Sequence, residues 1–243
     1  MRFENKTALV TGAAFGIGRA VAKKLAADGA ALALTDIAMS ELETLKDELE
    51  ASGTTVYVYE CDVSDETRVR EVADDAIAKL GHLDILINNA AYFREGLGPF
   101  VDQDPAMWRR KIDVNILGTM FMTHAVLPHM YERRKGSIVN VASVAGIYGI
   151  ANLTDYSMTK GAVLSFTYAL AREAAAYNVN VNAMSPGNIN ARNDEHYTDL
   201  HLSYLGPFGT PEECANVICF LASDEAKWVS GVNFTADGCR AKI

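Results

Sequence analysis

The 243-residue chain is 49% apolar and 22% charged, the balance of an ordinary globular domain with enough length to bury a large core. Its 31 acidic against 22 basic residues give a net charge of −9, which argues against nucleic acid or an anionic membrane as the main partner and leaves small molecules open. No apolar run is long enough to span a bilayer, and the charged start of the chain, with only Ala8 to Val10 apolar behind it, does not read as a signal peptide.

Cys61, Cys214, Cys219 and Cys239 show no CxxC spacing and read as reduced, buried thiols of a cytoplasmic protein. The five histidines form no HExxH, and no metal site is expected; the spacing of Asp194, Glu195, His196 and His201 is weak evidence for one.

Residues 6–10 (KTALV) read as a buried strand ending at Thr11-Gly12, and residues 16–28 as a helix closed by Gly29. Residues 31–35 (ALALT) form a second strand ending in Asp36. Ser40 with Glu43 has the pattern of a capping box before a charged amphipathic helix. Residues 54–60 (TTVYVYE) are β-branched and aromatic, hence a third strand. A helix starting at Ser64-Asp65-Glu66 and closing at Gly81 leads to the strand of residues 83–87 and then Asn88-Asn89.

Asp104-Pro105 supplies a cap and a first-turn proline for a long helical region running past Asn115 towards Arg134. Residues 136–141 make a strand that delivers Ser143, and Thr154 or Asp155 caps the helix that carries Tyr156 and Lys160. Residues 180–183 and 232–235 read as further strands, and Thr210-Pro211-Glu212-Glu213 as a capping box opening a helix to Leu221. Apolar strands alternating with helices predict an α/β fold: one doubly wound, Rossmann-type parallel sheet with helices on both faces, in a single domain over residues 1–243. Residues 188–209 form the one long irregular piece, the usual place for a substrate loop or lid.

Two stretches carry chemistry. The turn Thr11-Gly12-Ala13-Ala14-Phe15-Gly16-Ile17-Gly18 lies between a strand and a helix, where glycines let backbone N–H groups approach a pyrophosphate. Asp36 follows 18 residues after Gly18 at the end of the next strand; a carboxylate there accepts hydrogen bonds from an adenosine ribose and repels a 2′-phosphate. No Lys or Arg stands between Gly12 and Gly18 or directly after Asp36, so NAD is favoured over NADP; a helix-capping role for Asp36 remains the plain alternative. In the second stretch, Tyr156 and Lys160 are four apart and share one helix face. An ammonium there favours phenolate and lowers the tyrosine pKa, although a tyrosine packed under a solvated lysine fits the same spacing.

Taken together with Cys61-Asp62-Val63, Asn88-Asn89-Ala90-Ala91, Asn115, Ser143 (13 positions before Tyr156) and Pro186-Gly187, these motifs make the chain resemble the short-chain dehydrogenase/reductase family over nearly its whole length. The resemblance implies a catalytic set of Asn115, Ser143, Tyr156 and Lys160. Tyr156 is then the general acid/base, Lys160 lowers its pKa and holds the nicotinamide ribose, Ser143 bonds the reacting oxygen, and Asn115 positions a water. It also implies a cofactor-binding set of Gly12, Phe15, Gly16, Ile17, Gly18, Asp36, Asp62, Val63, Asn89, Ala90, Pro186, Gly187 and Ile189, with Tyr156 and Lys160. Three positions depart from the family's pattern: Ala91 for a glycine, Ala191 for a threonine, and Asp237-Gly238-Cys239 for a Gly-Gly.

For substrate, Arg94, Tyr148, Asn188 and Arg192 are candidate contacts, the arginines for a carboxylate or phosphate. The leading expectation is an NAD-dependent oxidoreductase interconverting a secondary alcohol and a ketone, on a small polar, cyclic or sugar-like molecule. Reduction of a 3-oxoacyl thioester, or non-redox lyase, epimerase or cyclase chemistry, are the alternatives. Apolar faces on the helical region of residues 104–134 and the helix of residues 154–177 lead to an expected homotetramer or homodimer.

Overall fold

The computed structural model describes residues 1–93, 95–190 and 203–240. Among these, seven strands form one sheet in the order β3-β2-β1-β4-β5-β6-β7, with every neighbouring pair parallel. The strands are β1 (Thr7–Thr11), β2 (Ala31–Asp36), β3 (Val56–Glu60), β4 (Ile85–Asn88), β5 (Gly136–Val141), β6 (Val179–Pro186) and β7 (Asn233–Ala236). The order reverses between β1 and β4, which opens a crevice at their carboxyl ends.

Helices cover both faces, so the central strands are largely apolar and buried, and β1 is buried at every position. On one face α1 (Gly16–Ala27), α2 (Met39–Glu50) and α8 (Pro211–Ala222) pack over Val10, Leu32, Leu34 and Ile87. On the other, α3 (Glu66–Leu80), α5 (Gly118–Arg133) and α7 (Thr154–Ala174) pack over Leu9, Leu86, Ile138 and Val181. The rest is α4 (Pro105–Lys111), ahead of α5, and the short α6 (Val144–Tyr148) before α7.

Several helix starts follow from local chemistry. Asp104 caps α4 by accepting the Ala106 N–H at 2.8 Å, with Pro105 in the first turn. Thr210 and Glu213 bond each other's backbone N–H groups reciprocally and open α8. The expected box at Ser40 does not form. The Asp36 carboxylate accepts the Ala38 N–H at 3.1 Å, the chain turns early, and α2 starts at Met39, leaving Ser40 inside the first turn bonded to Glu41. The helical region of residues 104–134 is also not one helix. Between α4 and α5 lies a π-helical segment, Ile112–Leu117, which holds Asn115. Cys61, Cys214 and Cys219 are buried thiols, whereas Cys239 is exposed, in a turn where its own φ is 60°.

Gly146 sits where α6 crosses α7. A Cβ there would stand 2.5 Å from the Lys160 carbonyl carbon and 2.7 Å from the Gly161 nitrogen, both of them backbone atoms that cannot swing aside. Gly146→Ala is expected to force α6 off α7, cost about 1–3 kcal/mol, and lower the melting temperature measured by calorimetry.

Candidate active site

The crevice begins at the glycine turn. Gly12 and Gly16 take positive φ values of 64° and 51°, which a side chain resists. A Cβ on Gly12 would lie 2.8 Å from the Ala90 Cα, and one on Gly18 only 2.1 Å from the Gly12 carbonyl oxygen, so the turn, α1 and the end of β4 touch without side chains between them. Asn89 fastens this contact by donating Nδ2 to the carbonyls of Thr11 at 3.1 Å and Gly12 at 2.9 Å. Phe15, the residue preceding α1, provides no side-chain cap, which leaves the first-turn N–H groups of α1 able to meet an anion.

Two cavities flank this turn. The smaller, about 120 Å³, is lined by Gly12, Asp36, Asp62, Val63, Ala90 and Arg110 among others. Asp36 has one carboxylate oxygen on the Ala14 N–H at 3.0 Å and the other on Ala38, so it braces the turn while each oxygen retains a lone pair. Asp62 accepts from Ser64 and from Arg110 Nη2 at 2.7 Å. Burial works against its charge, yet the Ser64 and Arg110 hydrogen bonds hold its carboxyl below the ordinary range. Arg110 was not singled out in the sequence; nothing local marks a helical arginine whose partner is 48 residues away.

The larger cavity, about 250 Å³, is bounded by Phe15, Gly16, Ile17, Tyr156, Lys160 and Pro186, with Asn89 and Phe93 at its walls. Together the two cavities fit a dinucleotide, with an acidic end at Asp36 and Asp62, glycines and a helix N-terminus in the middle, and titratable groups at the far end. Ser143, just after β5, accepts the Ala145 N–H at 3.1 Å and so caps α6, which leaves its own proton to be donated towards the Tyr156 oxygen. The Ser143 hydroxyl stands close enough to the Tyr156 phenol to favour its ionised form. The Phe93 ring lies 4.6 Å from the Tyr156 ring, tilted by 53°. Lys160 Nζ stands 5.8 Å from the Tyr156 ring centroid and donates to the Val141 carbonyl at 2.7 Å.

Other candidates fall around this core. Asn115 is buried: its Oδ1 accepts the Tyr92 N–H at 2.7 Å, and its Nδ2 donates to the Tyr92 carbonyl and to Thr159 Oγ1. Both amide hydrogens are thus used within the protein, and a water here would meet the remaining Oδ1 lone pair. Gly187 donates its N–H to the Ala236 carbonyl, beside Pro186. Ile189 and Asn188 line a separate cavity of about 240 Å³ with Glu213 and Asp237. Tyr148 is 40% exposed at the end of α6. Arg94, Arg192, Ala191 and the Asp194–His201 cluster lie outside the described residues, as does most of the expected lid at 188–209. Among the described residues no cluster of three or more His, Cys, Asp or Glu groups is placed to hold a metal.

The sequence led us to expect a lowered tyrosine pKa, and the structure reverses that. Burial pushes the Tyr156 phenol up to about 12, against a smaller opposing effect of the Ser143 hydrogen bond. Burial likewise pushes Lys160 down to about 8. The lysine ammonium is turned to the Val141 carbonyl, and desolvation is the largest cause of the shift at each of the two groups.

A family model described as short chain dehydrogenase matches residues 6–199. The chain is 40% identical over 244 residues to a 3-oxoacyl-(acyl-carrier-protein) reductase of Thermotoga maritima, covering 98% of both. It is 36% identical over 242 residues to a cis-4-hydroxycyclohexanecarboxylate dehydrogenase of Sinomonas cyclohexanicum, covering 97% of this chain and 96% of that one. The crystal structure of levodione reductase superposes with a TM-score of 0.91 at 31% identity, covering 98% of each chain.

Lys160 also couples stability to pH. Its ordinary value of 10.5 applies to the unfolded chain and about 8 to the folded one, so between these pH values the unfolded state binds the extra proton. Stability should therefore rise with pH through this window, by at most about 1.4 kcal/mol per unit. Lys160→Met should remove the rise. Melting temperatures at pH 7 and pH 9.5 check it: the wild type should gain on the variant at the higher pH, and parallel curves would refute the assignment. Tyr156 acts oppositely only above its ordinary value of 10, outside this comparison.

Proposed function

Because the chain belongs to the short-chain dehydrogenase/reductase family, we propose that it is an NAD-dependent oxidoreductase interconverting a secondary alcohol and a ketone, with Tyr156 as the general acid/base. The observation that carries this reading is that Tyr156 and Lys160 line one cavity at the end of the glycine turn, with Ser143 acting on the Tyr156 phenol. A bound nicotinamide supplies the hydride chemistry. The protein's part is at the oxygen that gains or loses charge. Tyr156 donates its proton to a carbonyl oxygen during reduction, and Ser143 turns its proton from the phenol to hydrogen-bond the same atom. In the reverse direction Tyr156 must first lose its proton, so oxidation is favoured by higher pH while reduction is served by the neutral phenol.

Lys160 and Tyr156 hold the nicotinamide ribose in this reading, Pro186 and Gly187 flank the ring, with Ile189 reaching it from the adjoining cavity, and Gly12, Phe15, Gly16, Ile17 and Gly18 receive the pyrophosphate. Asp62, Val63, Asn89 and Ala90 line the adenosine end. Asp36 supports NAD over NADP, since it lines the adenosine-side cavity and the residue after it is the exposed Ile37. The nearby guanidinium groups are engaged: Arg110 with Asp62 and Ser64, and Arg19 with Glu48 and the carbonyls of Ala14 and Glu41.

The substrate in this reading is a small polar, cyclic or sugar-like alcohol, covered by the segment 188–209 acting as a lid. The Sinomonas relative, named for a ring-bearing hydroxy acid, supports that class. The Thermotoga relative supports a second reading, reduction of a 3-oxoacyl thioester. Exposed Met120, Met158, Tyr168 and Ile147 on α5, α6 and α7 support pairing of these helices between copies, in a homodimer or homotetramer. A cytoplasmic location accords with the reduced thiols.

A panel of alcohols, ketones and acetoacetyl thioesters with NAD(H) and NADP(H), followed at the reduced-nicotinamide band, tests the reading. Turnover of a free secondary alcohol with NAD is expected, and Tyr156→Phe should lose about a hundredfold or more in kcat while still binding NADH by fluorescence. Turnover confined to the thioester would select the second reading, and product formation without an absorbance change would overturn both.

Separately, Asp36→Ala should cut the preference for NAD over NADP by about tenfold or more, read from the ratio of kcat/KM values.

A further inference from the structure

Lys111, the last residue of α4, and Asp155, in the first turn of α7, form an ion pair 2.6 Å long whose side chains are 0% and 2% exposed. We infer that this pair is a positioning device for Tyr156, fixing where the first turn of α7 stands against the π-helical segment. The inference rests on reading Tyr156 as the acid/base.

Stability alone does not account for the pair. Removing two charges from water costs several kcal/mol per ion, and an apolar pair of similar volume commonly serves a fold as well or better. What an apolar pair lacks is direction. The same Asp155 carboxylate that meets Lys111 through Oδ2 accepts the Tyr156 N–H through Oδ1 at 2.7 Å. As the third residue of α7, Tyr156 has no intrahelical acceptor for that N–H. One carboxylate therefore ties the tyrosine backbone to α4.

A second rung lies one turn further along both segments. Asn115, four residues after Lys111, donates Nδ2 to Thr159 Oγ1 at 3.0 Å, and Thr159, four residues after Asp155, donates that hydroxyl to the Tyr156 carbonyl at 2.9 Å. The backbone N–H and C=O of Tyr156 are thus each held by a side chain that reaches across to the segment of residues 111–115. The π-helical turn between Lys111 and Asn115 sets the facing of the two rungs.

The test separates position from stability. Lys111→Met and Asp155→Asn each strand or unbalance a buried charge and should lower the melting temperature; the apolar double variant Lys111→Met/Asp155→Leu relieves the stranded charge and should recover most of it. Turnover is counted per NADH-binding site by fluorescence titration, so partly folded preparations remain readable. A positioning role predicts that the double variant and Asp155→Asn keep the wild-type KM for the cofactor while kcat falls by about tenfold or more. A double variant with wild-type kcat per site overturns the inference. If the wild type turns over none of the alcohols, ketones or thioesters, the functional reading fails by itself, and a crystal structure of the double variant decides. Displacement of the Tyr156 hydroxyl by about 0.5 Å or more upholds the inference, and superposition on the wild type overturns it.

Discussion

The site depends first on the Thr11 hydroxyl. At the carboxyl end of a parallel sheet the last backbone N–H groups have no next strand to bond, and β1 and β4 end side by side. Thr11 Oγ1 accepts two of those donors, the N–H groups of Asn89 and Ala90, each at 3.0 Å. Asn89 returns its side-chain amide to the carbonyls of Thr11 and Gly12. The glycine turn is thereby fixed against β4 rather than left as a free loop. With the turn fixed, an absent Cβ at Gly12 and at Gly18 becomes a requirement, because the spaces those atoms would take are already filled by Ala90 and Gly12.

The chemistry at the other end of the crevice is governed by burial. Tyr156 and Lys160 share a helix face, yet their pKa values move apart in the directions that desolvation dictates, upward for the phenol and downward for the ammonium. The unliganded pair therefore favours a neutral phenol, the form that donates a proton to a ketone. A bound cation, such as an oxidised nicotinamide, would shift the phenol towards ionisation, the form needed to oxidise an alcohol. Both directions of the proposed reaction then use one residue, with its protonation set by what occupies the cavity.

Features written within a few residues were legible in the sequence. The alternation of strands and helices, the Thr210–Glu213 box, the Asp104-Pro105 start and the glycine turn all depend on neighbours in the chain. What escaped was settled by distant partners or by desolvation. Ser40 lost its cap to an earlier turn made by Asp36. Arg110 is defined by Asp62, and Lys111 by Asp155, 44 residues on. The π-helical turn has no spacing signature, because side chains on both of its sides continue to look helical. The spacing of Tyr156 and Lys160 puts them on one helix face and equally fits a packed tyrosine under a solvated lysine, while the sign of the tyrosine shift depends on burial that only the fold supplies.

The same contrast explains why α7 does not look like an ordinary amphipathic helix. Its inward stripe runs Asp155, Thr159, Val163, Thr167, four residues apart, and three of the four are polar. Each polar member has a partner on a different element: Lys111 on α4, Asn115 on the π-helical turn, and Asn140 on β5, whose Nδ2 reaches Thr167 Oγ1 at 2.9 Å. Asn140 in turn accepts from Asn88 at the end of β4, which also donates to Thr123 of α5. Thr123 and Thr119 then bond back along α5 to the carbonyl of Asn115. Hydrogen bonds have directional minima that apolar contacts lack, so this belt allows α7 one rotation and one height over the sheet. A Leu-rich stripe would bury as well and permit small slides. For a helix that must present Tyr156 and Lys160 to a groove at the strand ends, a polar inner face is the arrangement that fixes the presentation.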